Sequence, residues 1–123
     1  MESSLHGLEV SSENVDCCGV VTLRGEMDVA SAPLVQSHIE ALTRMTKHLV
    51  IDCAELHFIG SSGIHILEKV RRDVDGNVGL VRPRKPVRRL FEIVGLSREY
   101  PDFDTVAEAR EYLHSAGKRR FSA

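Results

Sequence analysis

Residues 49–64 read LVIDCAELHFIGSSGI and hold the clearest structural signal in the chain. Their first three residues are an uninterrupted apolar run, which is typical of a strand covered on both faces. We therefore predict a central strand at residues 48–53. The glycines and serines of residues 60–63 predict a turn, and a helix opens near the two serines. The buried face of that helix is expected at Ile64, Leu67 and Val70.

Short apolar runs alternate with helical patterns on both sides of this stretch, which indicates an α/β fold. Residues 8–10 and 19–23 predict a hairpin across a polar turn at residues 11–16. Ser31 is placed to cap a helix that ends near Lys47. The expected buried face of this helix consists of Leu34, Val35, Ile39, Leu42 and Met45.

A strand at residues 77–81 follows a turn at residues 75–77, and an amphipathic helix comes next. This helix ends at Gly95, because glycine suits the left-handed position after a helix. Its expected buried face consists of Val87, Leu90, Phe91 and Val94.

The last predicted helix begins with a capping box, in which Thr105 is followed three residues later by Glu108. It ends before Gly117, and residues 117–123 are expected to form a flexible tail. Its expected buried face consists of Val106, Ala109 and Leu113. The chain of 123 residues suits one domain with a core at about residues 8–116.

Composition excludes several classes of protein. Hydrophobic residues at 42% and charged residues at 28% are typical of a soluble globular chain. Sixteen basic against 18 acidic residues leave a net charge of −2, so the molecule lacks the overall cationic field of a nucleic-acid-binding protein. No apolar run reaches the ~20 residues of a membrane span, and no secretory signal is visible. We expect a cytoplasmic protein without membrane insertion or direct nucleic-acid contact.

The three cysteines, Cys17, Cys18 and Cys53, form no Cys-x-x-Cys pair. Their odd number argues against a disulfide framework, and their spacing argues against structural zinc. We expect free thiols. A redox switch stays open as an alternative, because Cys53 ends the strand that leads to the serine turn.

Enzyme signatures fail when tested against the sequence. The Gly-x-Ser-x-Gly elbow of hydrolases is broken at Ile64, and His65 has no carboxylate placed to orient it as a base for Ser62. Glycine-rich phosphate loops and the His-Glu-x-x-His metal motif are missing. We expect no catalytic residue, no cofactor and no metal site.

Residues 82–89 read RPRKPVRR and form the densest charge cluster in the chain. Such a cluster can contact the phosphates of a nucleic acid. It can equally be a solvated loop or a surface that docks a protein, and the sequence leaves these alternatives open.

The serine turn also has two interpretations. One serine can cap the helix by accepting a backbone hydrogen bond, which contributes about 1 kcal/mol. Alternatively, a serine is a site of regulatory phosphorylation, because a helix N-terminus tolerates a phosphate that adds roughly −1.5 to −2 charges to a docking surface.

Three segments resemble the STAS domain, and in particular its anti-sigma factor antagonist group. They are residues 24–28 (RGEMD), residues 49–64 and residues 87–96 (VRRLFEIVGL). Their order and spacing together are specific, and the resemblance extends from about Leu8 to Leu113. It implies a single STAS-like domain with a four- or five-stranded mixed sheet and about four helices packed mainly on one face.

The resemblance also implies a regulatory, non-enzymatic function. An antagonist of this kind binds an anti-sigma factor, which is a serine kinase of the ATP-binding histidine-kinase-like fold. Phosphorylation of the antagonist breaks the complex and a serine phosphatase restores it, so that transcription is regulated. Small antagonists are often monomers or weak dimers.

Carried to this chain, the phosphoacceptor is Ser62, with Ser61 as the alternative. The implied partner-binding residues are Glu26, Asp28, Gly60, Ser61, Ser62, Gly63, Ile64 and His65. The chain departs from the family pattern at Gly60, where the motif usually has an aspartate. It departs again at His65, which either pairs with a phosphate on Ser62 or faces solvent.

Two other functions within the same family stay open. One is an accessory STAS subunit of a membrane lipid-transfer ABC transporter. The other is a scaffold STAS protein of a large signalling assembly.

Overall fold

The computed structural model describes residues 1–16, 18–74, 78–95 and 100–122, with side chains described up to residue 115. Within these ranges six strands and four helices follow one another along the chain. They are β1 (Glu2–Leu5), β2 (Leu8–Val15), β3 (Cys18–Met27), α1 (Ala32–Thr43), β4 (His48–Ile59), α2 (Ser61–Asp73), β5 (Val78–Val81), α3 (Lys85–Ile93), β6 (Asp102–Phe103) and α4 (Val106–Ser122).

The strands form one mixed sheet in the order β1-β2-β3-β4-β5-β6. The first three are antiparallel neighbours, and β3 to β6 are parallel neighbours. The predicted α/β class, hairpin and mixed sheet are confirmed. The sheet has six strands rather than four or five, because β1 and β6 lie at its edges. The polar β1 and the two-residue β6 carry no apolar pattern that would predict a strand.

Strand β4 occupies the middle of the sheet, as predicted, but it continues to Ile59. Its apolar run is fully buried and serves two cores. Leu49 and Ile51 belong to the larger core, whereas Val50 belongs to the smaller core on the opposite face. This double burial explains why the run does not alternate with polar residues.

Helices cover both faces of the sheet. Buried residues of α1, α2 and α3 join the larger core, and Ala109 and Leu113 of α4 join the smaller one. The predicted packing mainly on one face is therefore correct for three of the four helices. The capping box of α4 is confirmed, since the Glu108 N–H donates to Thr105 Oγ1 over 3.1 Å.

Several predicted boundaries are wrong. Residues 11–15 continue β2 instead of forming a polar turn, and α1 ends at Thr43, which leaves Met45 66% exposed. Helix α4 runs through Gly117 to Ser122, because one glycine costs only about 1 kcal/mol within a helix of good helix formers. The predicted turn at residues 75–77 lies outside the described residues.

Gly25 lies where β3 passes close to the β1–β2 turn. Its φ is +105°, and a Cβ atom there would lie 2.2 Å from the Gly7 carbonyl oxygen. The neighbouring Glu26 N–H donates to the same oxygen over 3.2 Å. Gly7 also has a positive φ, +82°, but it has open space around its Cβ position.

Gly25→Ala should therefore lower the free energy of unfolding by at least about 3 kcal/mol, since it adds a steric clash to backbone strain. Gly7→Ala is the matched control and should cost only about 1 kcal/mol, from strain alone. Urea denaturation of both variants measures the difference. Equal losses would show that the close approach to Gly7 does not constrain Gly25.

A buried histidine joins α1 to the first two strands. His38 is 1% exposed, and hydrogen bonds link its Nδ1 to the Ser12 hydroxyl over 2.7 Å and its Nε2 to the Ser3 hydroxyl over 3.1 Å. Burial lowers the pKa of His38 from its ordinary value of 6.5, and the positive charge of the N-terminus lowers this pKa further. The folded protein therefore favours the neutral imidazole.

This burial predicts a loss of stability in acid. Between the lowered pKa of the folded state and the ordinary value of 6.5, His38 is protonated in the unfolded chain but not in the folded chain, so the free energy of unfolding falls as pH falls through this range. The slope from one such group reaches about 1.4 kcal/mol per pH unit. Denaturation of wild type and His38→Gln between pH 7 and pH 5 measures it, with the exposed His6→Gln as control. An unchanged slope in His38→Gln would contradict the assignment.

Candidate functional site

The candidate site lies where β3 and β4 end and α2 begins. The Gly60 N–H donates to the Met27 carbonyl over 2.8 Å, which ties the two strand ends together. Gly60 is also the N-cap residue of α2 and has extended backbone angles. The first turn of the helix follows at once, because the Ile64 N–H donates to the Gly60 carbonyl over 3.1 Å.

The two serines occupy the first two positions of α2. The interpretation of a serine as the cap is wrong, because the helix begins one residue earlier and Gly60 takes that position. Ser61 is exposed and Ser62 is half-buried. Within the described part of the chain neither hydroxyl forms a hydrogen bond, so both are available to a partner or a modifying enzyme.

Gly63 and Ile64 lie beneath this surface. A Cβ atom at Gly63 would lie 2.6 Å from the Ile59 side chain and 3.0 Å from that of Met27, so α2 packs directly on the strand ends. The Ile64 side chain belongs to the larger core. These two predicted partner-binding residues therefore support the surface from below.

The two predicted acidic residues have different environments. Glu26 is exposed near the end of β3, level with Phe58 of β4. Asp28 is half-buried, and its Oδ1 accepts hydrogen bonds from the N–H groups of Ala30 at 3.0 Å and Ser31 at 3.2 Å. The Asp28 carboxylate thus holds the loop that leads into α1.

Ser31 occupies the predicted N-cap position of α1 but does not cap the helix with its side chain. Its hydroxyl oxygen instead accepts a hydrogen bond from the Asp28 N–H over 3.0 Å. Ser31 is fully buried, so the hydrogen bonds between Asp28 and Ser31 fix the loop beside the serine turn.

A shallow groove of about 400 Å³ separates the beginnings of α1 and α2. Its lining residues are Val29, Ala32, Pro33, Gln36, Ser61, Ser62, His65 and Ile66. None of them is a carboxylate. The structure thus brings Ser61, Ser62 and His65 to one surface, and His65 is exposed there.

Two apolar side chains beside the serines escaped the sequence analysis. Val29 is 75% exposed in the groove, and Phe58 is 52% exposed next to Gly60. Exposed apolar side chains next to polar groups are typical of protein-binding surfaces. Neither residue carries a sequence signal for this exposure, since the apolar Phe58 lies between the buried Leu56 and Ile59 in a strand that alternates imperfectly.

The described cysteines are buried free thiols. Burial, together with the nearby Asp52 and Asp102 carboxylates, raises the pKa of Cys53 to about 12. Burial also raises the pKa of Cys18, which the Arg110 guanidinium lowers in part. Both thiols are therefore protonated and hidden, which argues against the redox switch at Cys53. Cys17 lies outside the described residues.

This burial predicts slow thiol chemistry. In a Cys17→Ser background, a thiol-specific reagent at pH 8 should label the native protein at least about a hundredfold more slowly than the protein unfolded in urea. The same reagent with free cysteine provides the reference rate. Rapid labelling of Cys53 in the native protein would reopen the redox interpretation.

Among the residues that the structure describes, no group of three or more His, Cys, Asp or Glu side chains is placed to hold a metal ion. None of the helices in the same residues has the length and apolar content needed to cross a membrane.

The fold and the site define a small α/β domain that presents hydroxyl groups and exposed apolar side chains at the ends of two central strands, which is the class of a protein-binding module. The chain belongs to the STAS domain family, whose sequence profile matches residues 9–109.

Similar proteins fall into two groups. An anti-sigma-F factor antagonist, RsfB of Mycobacterium tuberculosis, is 29% identical over 93 residues, which are 73% of this chain and 76% of RsfB. The crystal structure of an anti-sigma factor antagonist from Mycobacterium paratuberculosis superposes with a TM-score of 0.76 at 29% identity and covers 90% of this chain and 95% of that one. A sulfate transporter of Mus musculus is 39% identical over 56 residues, which are 46% of this chain and 7% of the transporter.

Proposed function

We propose that this protein is an anti-sigma factor antagonist that binds an anti-sigma factor through the groove between α1 and α2 and thereby regulates transcription. The observation that carries the proposal is the pair of serine hydroxyls at the start of α2, which form no hydrogen bond within the described residues, with Ser61 exposed and Ser62 half-buried. The relatives that it matches over most of their length, and that are named anti-sigma factor antagonists, support it.

The proposed surface combines polar and apolar groups. Ser61, Ser62 and His65 line the groove, and Val29 and Phe58 contribute exposed apolar area at its edges. Glu26 and the Asp28 loop extend the surface along the end of β3. A partner that covers these side chains gains from apolar burial and from hydrogen bonds to the free hydroxyls.

In this proposal Ser62 is the phosphoacceptor, with Ser61 as the alternative, and the anti-sigma factor is the kinase that supplies ATP. A phosphate adds roughly −1.5 to −2 charges to a groove without carboxylates. The complex then has to bury that charge, so phosphorylation releases the partner and a serine phosphatase restores binding. The protein itself acts as a cytoplasmic substrate and binding partner, as a monomer or weak dimer, and not as an enzyme.

Two replacements of Ser62 distinguish binding of the anti-sigma factor from its release by phosphorylation. Ser62→Ala should retain the anti-sigma factor, whereas Ser62→Glu should bind it at least about tenfold more weakly, a loss of about 1.4 kcal/mol. The free energy of unfolding of Ser62→Glu should stay within about 0.5 kcal/mol of wild type, because a negative charge is tolerated in the first turn of a helix. Affinity capture from native extract with mass spectrometry identifies the partner, and titration measures the affinity.

Ser115→Glu is the matched control, since Ser115 is an exposed serine on α4, away from the groove. It should capture the same partner as wild type. If wild type and Ser62→Glu capture a small ATP-binding anti-sigma factor equally, the phosphorylation switch is contradicted. The identity of the partner would still be supported.

A second candidate function follows from the partial match to a sulfate transporter. In this second proposal, the STAS domain acts beside a membrane transporter. Recovery of the same transporter subunits by wild type and Ser62→Glu in the capture experiment, without an anti-sigma factor, would favour this function over the first.

A further inference from the structure

The cluster of basic residues at positions 82–89 is not part of the serine site. It contains five of the 16 basic residues of the chain, so the remaining positions carry 11 basic against 18 acidic residues. The structure exposes all five: Arg82, Arg84, Lys85, Arg88 and Arg89. We name these five residues the basic face.

Helix α3 arranges the basic face together with one exposed apolar residue. Val87 and Phe91 point into the larger core, so the opposite side of the helix faces solvent. Lys85, Arg89 and Ile93 follow one another there at intervals of four residues, which places them on one line along the helix. Ile93 is 71% exposed at the end of that line.

Most of this positive charge is not neutralised within the protein. Arg88 Nε pairs with Asp102 Oδ2 over 3.1 Å. Across the described ranges, the other four members of the basic face form no ion pair. Glu92 is the one acidic residue of α3 itself. A strong local positive field therefore faces solvent on a molecule that is otherwise acidic.

The basic face is separate from the serine site. Strand β5 ends at Val81, which is level with Asp52 of β4, and β4 continues for seven more residues to Ile59. Two irregularities shorten this part of β4, which spans the same length as Thr22–Met27 of β3, so the two strand ends lie about 17 Å apart along the sheet. One partner can therefore occupy the groove at Ser62 while another contacts α3.

We propose that the basic face and Ile93 bind an acidic, partly apolar segment of a second protein partner, independently of Ser62. Charge complementarity selects the acidic residues of this partner, and Ile93 selects an apolar residue beside them. A nucleic acid fits less well, because Phe91, the aromatic residue of this segment, is buried and offers no stacking surface. An anionic bilayer or a long polyanion also fits less well, because the excess of acidic residues elsewhere on the molecule would repel it.

The test uses the full chain and a defined probe. The probe is a fluorescent helical peptide of about 14 residues with a glutamate stripe beside a leucine stripe, and its binding is measured by anisotropy at low ionic strength. Lys85→Glu/Arg89→Glu should weaken binding at least about tenfold. The control, Lys47→Glu/Lys69→Glu, makes the same change in net charge at two other exposed lysines and should weaken it less than about twofold.

Further variants separate the parts of the proposal. Ile93→Ser should weaken peptide binding about threefold or more. Ser62→Glu should bind the peptide like wild type, so a failure of the antagonist function would leave this result unchanged. Lys85→Gln/Arg89→Gln repeats the test without charge reversal, should the double glutamate variant not fold in a circular dichroism melt.

Three outcomes would overturn the proposal. The first is an absence of peptide binding by wild type. The second is equal weakening in the basic-face and control variants, which would show a general effect of charge. The third is tighter binding to single-stranded DNA or to phosphatidylglycerol vesicles with the same dependence on Lys85 and Arg89, which would assign the basic face to a polyanion or a membrane instead.

Discussion

The close packing of α2 on the ends of β3 and β4 determines the candidate site. Gly63 makes this packing possible, because any side chain there would overlap Ile59 and Met27. The hydrogen bond from Gly60 to Met27 joins the same two strand ends. Together they fix the first turn of α2 relative to the sheet, so the serine hydroxyls are positioned by core packing rather than by a mobile loop.

Unequal strand lengths divide the surface of the sheet into separate regions. Strand β4 extends well beyond β5, so the loops that follow these neighbouring strands begin at different positions along the strand direction. The loop after β4 leads to the groove without carboxylates, and the loop after β5 leads to the basic face. A domain of 123 residues can therefore present two surfaces of different chemistry without a second core.

Sequence patterns predicted the elements whose stability comes from apolar burial and local capping. The apolar run of β4, the hairpin, and the Thr105–Glu108 box of α4 are examples. Strand β1 escaped prediction because its residues are polar and its attachment depends on tertiary contacts, such as the one between Ser3 and His38. The expected serine cap was wrong because α2 begins one residue earlier than predicted, which makes Gly60 the N-cap residue. Local sequence does not resolve the start of a helix to a single residue.

The site shows the same division between local and tertiary information. The motif located Ser61, Ser62 and His65 on one surface, because residues of a first helical turn remain neighbours whatever surrounds them. The helical spacing also predicted the burial of Ile64 correctly, but it did not reveal that Phe58 is exposed, since only the path of β4 determines which of its apolar residues face solvent.

The electrostatics of the groove predict that the proposed phosphate on Ser62 acts on a complex more than on the fold. The Asp28 carboxylate, in the loop that follows β3, is already held by two backbone N–H groups, so its charge is partly balanced. The first N–H groups of α2 lack intrahelical acceptors and carry partial positive charge, so the free domain accommodates a phosphate on Ser62. In the free domain that phosphate also keeps its water. A partner that covers Val29 and Phe58 removes this water, and the cost of desolvation therefore falls on the complex alone.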